Sequence, residues 1–142
     1  MKKLFKFSLL FFLFILNTAC QDVLECVINR HPELQDKRLK EGHVNAYYFE
    51  EINAQINNEP FDDSYYYYFT VSGKLPRGIT SSVGYRSVVI EGTPLEPGRF
   101  PINIHLSASQ TDDYYDDCES QFNDCDGLCS ESTSKRYTIL IR

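Results

Sequence analysis

Between residues 99 and 106 the side chains alternate without a break, Phe100, Ile102, Ile104 and Leu106 on one side and Arg99, Pro101, Asn103 and His105 on the other. A period of two sends successive side chains to opposite faces of an extended chain, so the apolar set covers a core while the polar set meets water. The same period returns over 48–56, where Tyr48, Ile52, Ala54 and Ile56 oppose Glu51, Asn53 and Gln55. It returns again over 65–71, where Tyr65, Tyr67, Phe69 and Val71 oppose Tyr66, Tyr68 and Thr70. A strand is predicted from about Tyr85 to Glu91, with Val88 and Ile90 on one side, and another over 135–142, with Tyr137, Ile139 and Ile141 together. Stretches rich in Asn, Gly and Pro separate these runs, at 57–64, 73–78 and 92–98. Short strands between turn signals, with no long helical period, predict an all-β sandwich or barrel. Pro101 cannot donate to a ladder, so it belongs at its strand's start or on an unpaired side.

The first nineteen residues do not share this pattern. Lys2, Lys3 and Lys6 form a basic head, and a run rich in Leu and Phe follows from Phe7 to Leu16 with no acid. This is the layout of a secretory signal helix, too short for the ~20 residues that span a bilayer. Removing it lowers the 14 basic residues by three to 11, against 20 acids, and leaves a net charge near −9. Such a charge repels a phosphate backbone and excludes nucleic acid as a partner class. Residues 22–29 carry Val23, Leu24, Val27 and Ile28 at helical spacing and read as a short helix that Pro32 ends. The expected organisation is a signal peptide at 1–19, a tether at 20–33 and one β-domain at 34–142.

The end of the signal, Leu16-Asn17-Thr18-Ala19-Cys20, resembles the lipobox of bacterial lipoproteins. The resemblance implies a diacylglyceryl group on Cys20 as the sole covalent group, no other cofactor, and membrane attachment through acyl chains. Gln21 follows the cysteine, which in such lipoproteins implies passage to the outer membrane.

Within the β-region, Gly73-x-Leu75-Pro76-x-Gly78-Ile79, Ile90-x-Gly92-Thr93-Pro94 and Gly98-x-Phe100-x-Ile102 together resemble the He_PIG-type, cadherin-like Ig domain of bacterial surface proteins. The resemblance implies an immunoglobulin-like β-sandwich of about seven strands, with binding, adhesion or spacing at cell surfaces as its role. It brings no catalytic residues. The chain departs from that pattern by an acidic, cysteine-bearing insertion at 110–134.

With Cys20 acylated, Cys26, Cys118, Cys125 and Cys129 form an even set that allows three pairings in an oxidising compartment. Pairing Cys118 with Cys125 and Cys26 with Cys129 is favoured, since an Ig-like fold brings the first segment to the last strand. A zinc site fits less well, because only one C-x3-C spacing exists and no His lies near it.

The insertion holds enough carboxylates for calcium, with Asp113, Asp117, Asp124 and Asp126 as candidate ligands. As an EF-hand it fails: if Gly127 is the turn glycine, Phe122 and Thr133 fall at the first and last ligand positions. A solvated acidic loop is the simpler reading.

Tyr66 and Tyr68, on the outward face of their strand, are the candidate binding surface, able to stack on sugars or fill partner pockets. His31, His43 and His105 are scattered, and no G-x-S-x-G elbow or H-E-x-x-H pair occurs, so the expectation is a chain that is not an enzyme. The expected function is a membrane-anchored binding module for a protein or glycan at the cell envelope. The alternatives are a spacer or subunit of an envelope assembly and, more remotely, a carbohydrate-active enzyme.

Overall fold

The structure is a computed structural model that describes residues 29–110 and 128–142. Eight strands follow in chain order: β1 (His31–Leu34), β2 (Glu41–Gly42), β3 (Tyr48–Asn57), β4 (Tyr65–Gly73), β5 (Ile79–Val83), β6 (Ser87–Gly92), β7 (Gly98–Gln110) and β8 (Ser132–Ile141). A 3-10 turn, Asp62–Ser64, precedes β4. The strands form two four-stranded sheets, ordered β1-β3-β6-β5 and β2-β8-β7-β4. All pairings are antiparallel except β2 with β8. The all-β expectation therefore stands.

Each predicted alternation becomes a strand with its apolar side inward. Ile52, Val88 and Ile90 from one sheet meet Ile102, Ile104, Leu106 and Ile139 from the other, all buried. Pro101 sits opposite Thr138 of β8, one position beyond the end of β4, where Gly73 faces Ile102. On that stretch β7 has β8 as its only neighbour, so the missing N–H leaves no ladder broken.

Three strands go beyond what the sequence predicts. β-structure begins at His31 rather than at 34, and Pro32 lies inside β1, an edge strand that tolerates it. β2 is two residues long and β5 follows directly on the turn at 73–78, so neither shows enough periods to be read from sequence. The signal at 1–19, Cys20, the aspartates of the insertion and all of the expected helix at 22–29 except Asn29, which stands in a turn, lie outside the described residues. Of the insertion at 110–134, Gln110 ends β7 and β8 starts at Ser132.

The glycine motifs acquire a steric reason. Gly92 closes β6 opposite Ile79 with a φ of +137°, and a Cβ there would collide with the carbonyl oxygen of Gly78. Gly78, with a φ of +86°, would in turn drive a Cβ into the carbonyl of Thr93. Two turns thus approach each other backbone to backbone, in a region of φ that side-chain-bearing residues avoid.

One inward position breaks the apolar pattern. Glu50 occupies the core side of β3 between Tyr48 and Ile52 and is only 2% exposed. Its carboxylate accepts the backbone N–H of Lys40 at 3.1 Å and pairs with Lys37 Nζ at 2.5 Å, while Lys40 Nζ stands 3.9 Å away. Lys37 Nζ also donates to the carbonyl of Glu51 at 2.9 Å. These contacts hold the segment 35–40, which carries the chain from β1 in one sheet to β2 in the other. The seam is closed further along by Tyr137 Oη donating to the Gln35 carbonyl at 2.7 Å and Lys135 Nζ to that of Leu34 at 3.2 Å.

Two stability outcomes follow. Gly92→Ala should cost at least about 2 kcal/mol, from its positive φ together with the backbone collision, read as a lowered urea midpoint; an unchanged midpoint contradicts the close approach. Lys37→Met leaves the buried Glu50 carboxylate with only the more distant, exposed Lys40 ammonium and should cost about 3 kcal/mol at pH 7; a change below about 0.5 kcal/mol, within the range of ordinary surface substitutions, would show the clamp to be incidental.

Candidate functional site

The outward positions of β4, β7 and β8 form one sheet face whose composition follows from register. Tyr66 lies beside Ser109, and Tyr68 beside Ser107 and then Ser132. The next rows are Thr70, His105, Ser134 and Ser72, Asn103, Arg136, and at the far end Arg99 lies beside Leu140 and then Glu41. Not one acid stands on the outward positions of these three strands. The opposite sheet has Glu33, Glu51 and Glu91 on its outward side.

The tyrosines occupy one end of this face. Tyr66 is 43% exposed and Tyr68 56%, with ring centroids 6.5 Å apart and planes tilted by 52°. Beside them His105 Nδ1 and Ser134 Oγ are within hydrogen-bond reach at 2.9 Å. The structure thus brings together the two residues singled out in the sequence and leaves both open to solvent.

The strand that carries them is held at its start by Arg86. Its guanidinium pairs with Asp62 and with Asp63, the latter at 2.8 Å, and lies 5.3 Å from the centre of the Tyr67 ring. Burial works against the Arg86 charge, but the fields of Tyr67, Asp62 and Asp63 outweigh it and hold its pKa above the usual value. Tyr67 Oη donates to the Asp62 carbonyl at 3.2 Å and Tyr85 Oη to that of Asp63 at 3.1 Å. Tyr67 therefore faces inward and the neighbouring Tyr66 and Tyr68 outward, as alternation requires.

At the other end of the face lies a groove of about 490 Å³ between the 35–40 segment and the strands β7 and β8. Arg38, Arg99 and Arg136 line it, with Leu39, Leu140, Thr138 and Tyr137. Burial, with the nearby Asp36 charge, pushes the Tyr137 phenol up to about 12, so it stays neutral and keeps its hydrogen bond to the Gln35 carbonyl at the groove's edge. Sequence patterning does not single out this group. Arg99 and Arg136 are visible there as outward residues of their strands, but Arg38 joins them only because Glu50 folds its segment across the sheet edge.

Among the described residues no group of three or more His, Cys, Asp or Glu could hold a metal ion. The calcium candidates Asp113, Asp117, Asp124 and Asp126 lie outside the described residues. Cys129, the only cysteine among the described residues, is disulfide-bonded, and its backbone N–H donates to the Arg30 carbonyl at 2.7 Å. The expected scheme of bridges is corrected to this extent: no disulfide joins two described residues, and Cys26, Cys118 and Cys125, the other members of the expected pairings Cys26 with Cys129 and Cys118 with Cys125, lie outside them.

No protein-family model and no curated protein matches the chain. Solved structures with a similar fold include an endo-fucoidan hydrolase of glycoside hydrolase family 107, 17% identical over 80% of this chain and 14% of that one, with a TM-score of 0.47. They also include the titin M3 domain, 11% identical over 80% of this chain and 97% of that one at a TM-score of 0.43. A PapD-like domain of human CEP192 is 8% identical over 78% and 83% at 0.42. The chain spans less than a fifth of the length of the enzymes it resembles. Carbohydrate-active enzymes stand among these structures beside Ig-like and PapD-like domains, and the expectation of a non-enzyme is withdrawn. Nor do the similar structures bring a lipoprotein or membrane identity. Identity this low shows a distant likeness of fold to an Ig-like or PapD-like domain.

Proposed function

We propose that the chain is a binding module of the cell envelope that presents the outer face of β4, β7 and β8 to a glycan. The observation that carries this reading is the exposed pair Tyr66 and Tyr68 on a face of hydroxyl, imidazole and guanidinium groups without a carboxylate on its three strands. Aromatic rings cover the apolar faces of sugar rings, and the polar groups beside them supply hydrogen bonds that fix orientation. The finer fold assignment is immunoglobulin-like. Its support is the strand order: β1-β3-β6-β5 follows the A-B-E-D order of that fold and β4-β7-β8 the C-F-G order, with β2 added beside the last strand. The tether through Cys20 is supported by the sequence of residues 1–20 alone.

A second reading, a spacer or subunit of an envelope assembly, is favoured by β4 itself. It is an edge strand of nine residues without a charge or a proline, and among the described residues no strand pairs with its far side. Such an edge can accept a strand from a neighbour.

A glycan array and a pull-down on the full chain separate the two. Saturable glycan binding weakened about tenfold in Tyr66→Ala or Tyr68→Ala, a loss of about 1.4 kcal/mol, supports the binding module. A stable protein complex indifferent to both changes, with no glycan retained, supports the assembly subunit. The address has its own check: the native protein should begin at Cys20 and carry acyl mass, and an unacylated chain starting elsewhere removes the tether.

A further inference from the structure

We propose that the groove lined by Arg38, Arg99 and Arg136 binds the acidic groups of an anionic polysaccharide, sulfate esters or uronate carboxylates. This rests on the reading of the same sheet face as a glycan-binding surface and names the class of glycan.

The argument is one of charge compensation. In a chain with 20 acidic residues against 14 basic ones, carboxylates are plentiful partners. Most other cations take them: Arg30 pairs with Glu59, Lys37 with Glu50, Arg86 with Asp62 and Asp63, Lys135 with Asp36 and Arg142 with Glu41, while Lys74 and Arg77, which have no ion pair among the described residues either, do not line the groove. Arg38, Arg99 and Arg136 have no ion pair among the described residues, and all three line one groove. The remaining charges at that groove are already answered, Lys37 by Glu50 and Glu41 by Arg142 at 2.8 Å. Three guanidinium groups left without counter-charges in a cleft form a local positive field on an acidic protein, and the planar fork of each matches a carboxylate or sulfate bidentately.

Register decides between a small ion and a polymer. Arg99 pairs with Leu140, and Arg136 with Asn103, so the two bases stand four residues apart along the strands, about 13 Å. Thr138 and Pro101 lie between them. That spread suits acidic groups repeated along an extended chain better than one compact anion. The same rows continue through Asn103, His105 and Ser134 to Tyr68 and Tyr66, so one extended ligand can pair its charges at the arginines and lay sugar rings on the tyrosines. Nucleic acid is disfavoured by the acidic opposite sheet and the net charge of −6.

The test measures binding of the full chain to dextran sulfate, polygalacturonate and uncharged dextran by calorimetry at low and moderate salt. Duplex DNA and anionic and neutral phospholipid vesicles serve as controls. Binding to the sulfated or the uronate polymer is expected, and which of the two is held tells sulfate from carboxylate. Affinity should fall with salt, and by at least tenfold in Arg99→Ala/Arg136→Ala, with a smaller loss in Arg38→Ala and an unchanged melting temperature.

Affinity untouched by the arginine changes overturns the proposal, as does equal binding to DNA or a preference for anionic over neutral vesicles, which the acyl tether alone would not produce. Uncharged glycan held through Tyr66 and Tyr68 with no preference for charge leaves the binding module standing and removes the anionic ligand. If no glycan of either kind binds, both fall.

Discussion

A single carboxylate inside the sandwich sets the geometry on which the candidate site depends. Glu50 takes a core position on β3 that its neighbours give to Tyr48 and Ile52, and a charge buried there is tolerated only because Lys37 and the Lys40 backbone meet it. The consequence is topological. The segment 35–40 must cross from one sheet to the other, and it crosses where Glu50 holds it. Leu39 then packs against the core and Arg38 lines the groove beside β7 and β8. An apolar residue at position 50 would fill the same space but would offer nothing to the two lysines. Specifying one path for a short crossover is a role that buried polar groups fill in some proteins.

The two outer faces of the sandwich differ for a reason equally local. Each strand alternates, so the residues between core positions are free to vary, and here they divide by sign. One sheet has glutamates outward; the other has tyrosines, hydroxyls and arginines. On a chain of net charge −6, the second face is the one approachable by an anion. Arg86 belongs to this arrangement at a distance: by gripping Asp62 and Asp63 and covering Tyr67, it holds the start of β4 and so the orientation of Tyr66 and Tyr68.

Legibility tracks the number of periods each element shows. β3, β4, β7 and β8 carry four or more inward-outward repeats, and alternation in the sequence is enough to assign their faces. β6 is readable from Val88 and Ile90, with its turns marked by Gly92 and Pro94. β1, β2 and β5 are not: two to five residues give too few repeats, Pro32 argues against a strand unless the strand lies at an edge, and the serines of β5 face water on an exposed edge. The candidate tyrosines are legible because alternation assigns a face. The arginine groove is not, since it gathers residues 38, 99 and 136 from two strands and a crossover.

By itself the sequence determined the all-β class, the inward face of each long strand and the turns that Gly and Pro mark between them, because these depend on period two and on backbone sterics within a few residues. Only the tertiary structure decided which strands became neighbours and that Glu50 is an inward clamp rather than one more surface acid. It also decided that three arginines remote in sequence share one groove. Those outcomes depend on register between strands far apart in the chain, and register is set when both sheets close on a common core.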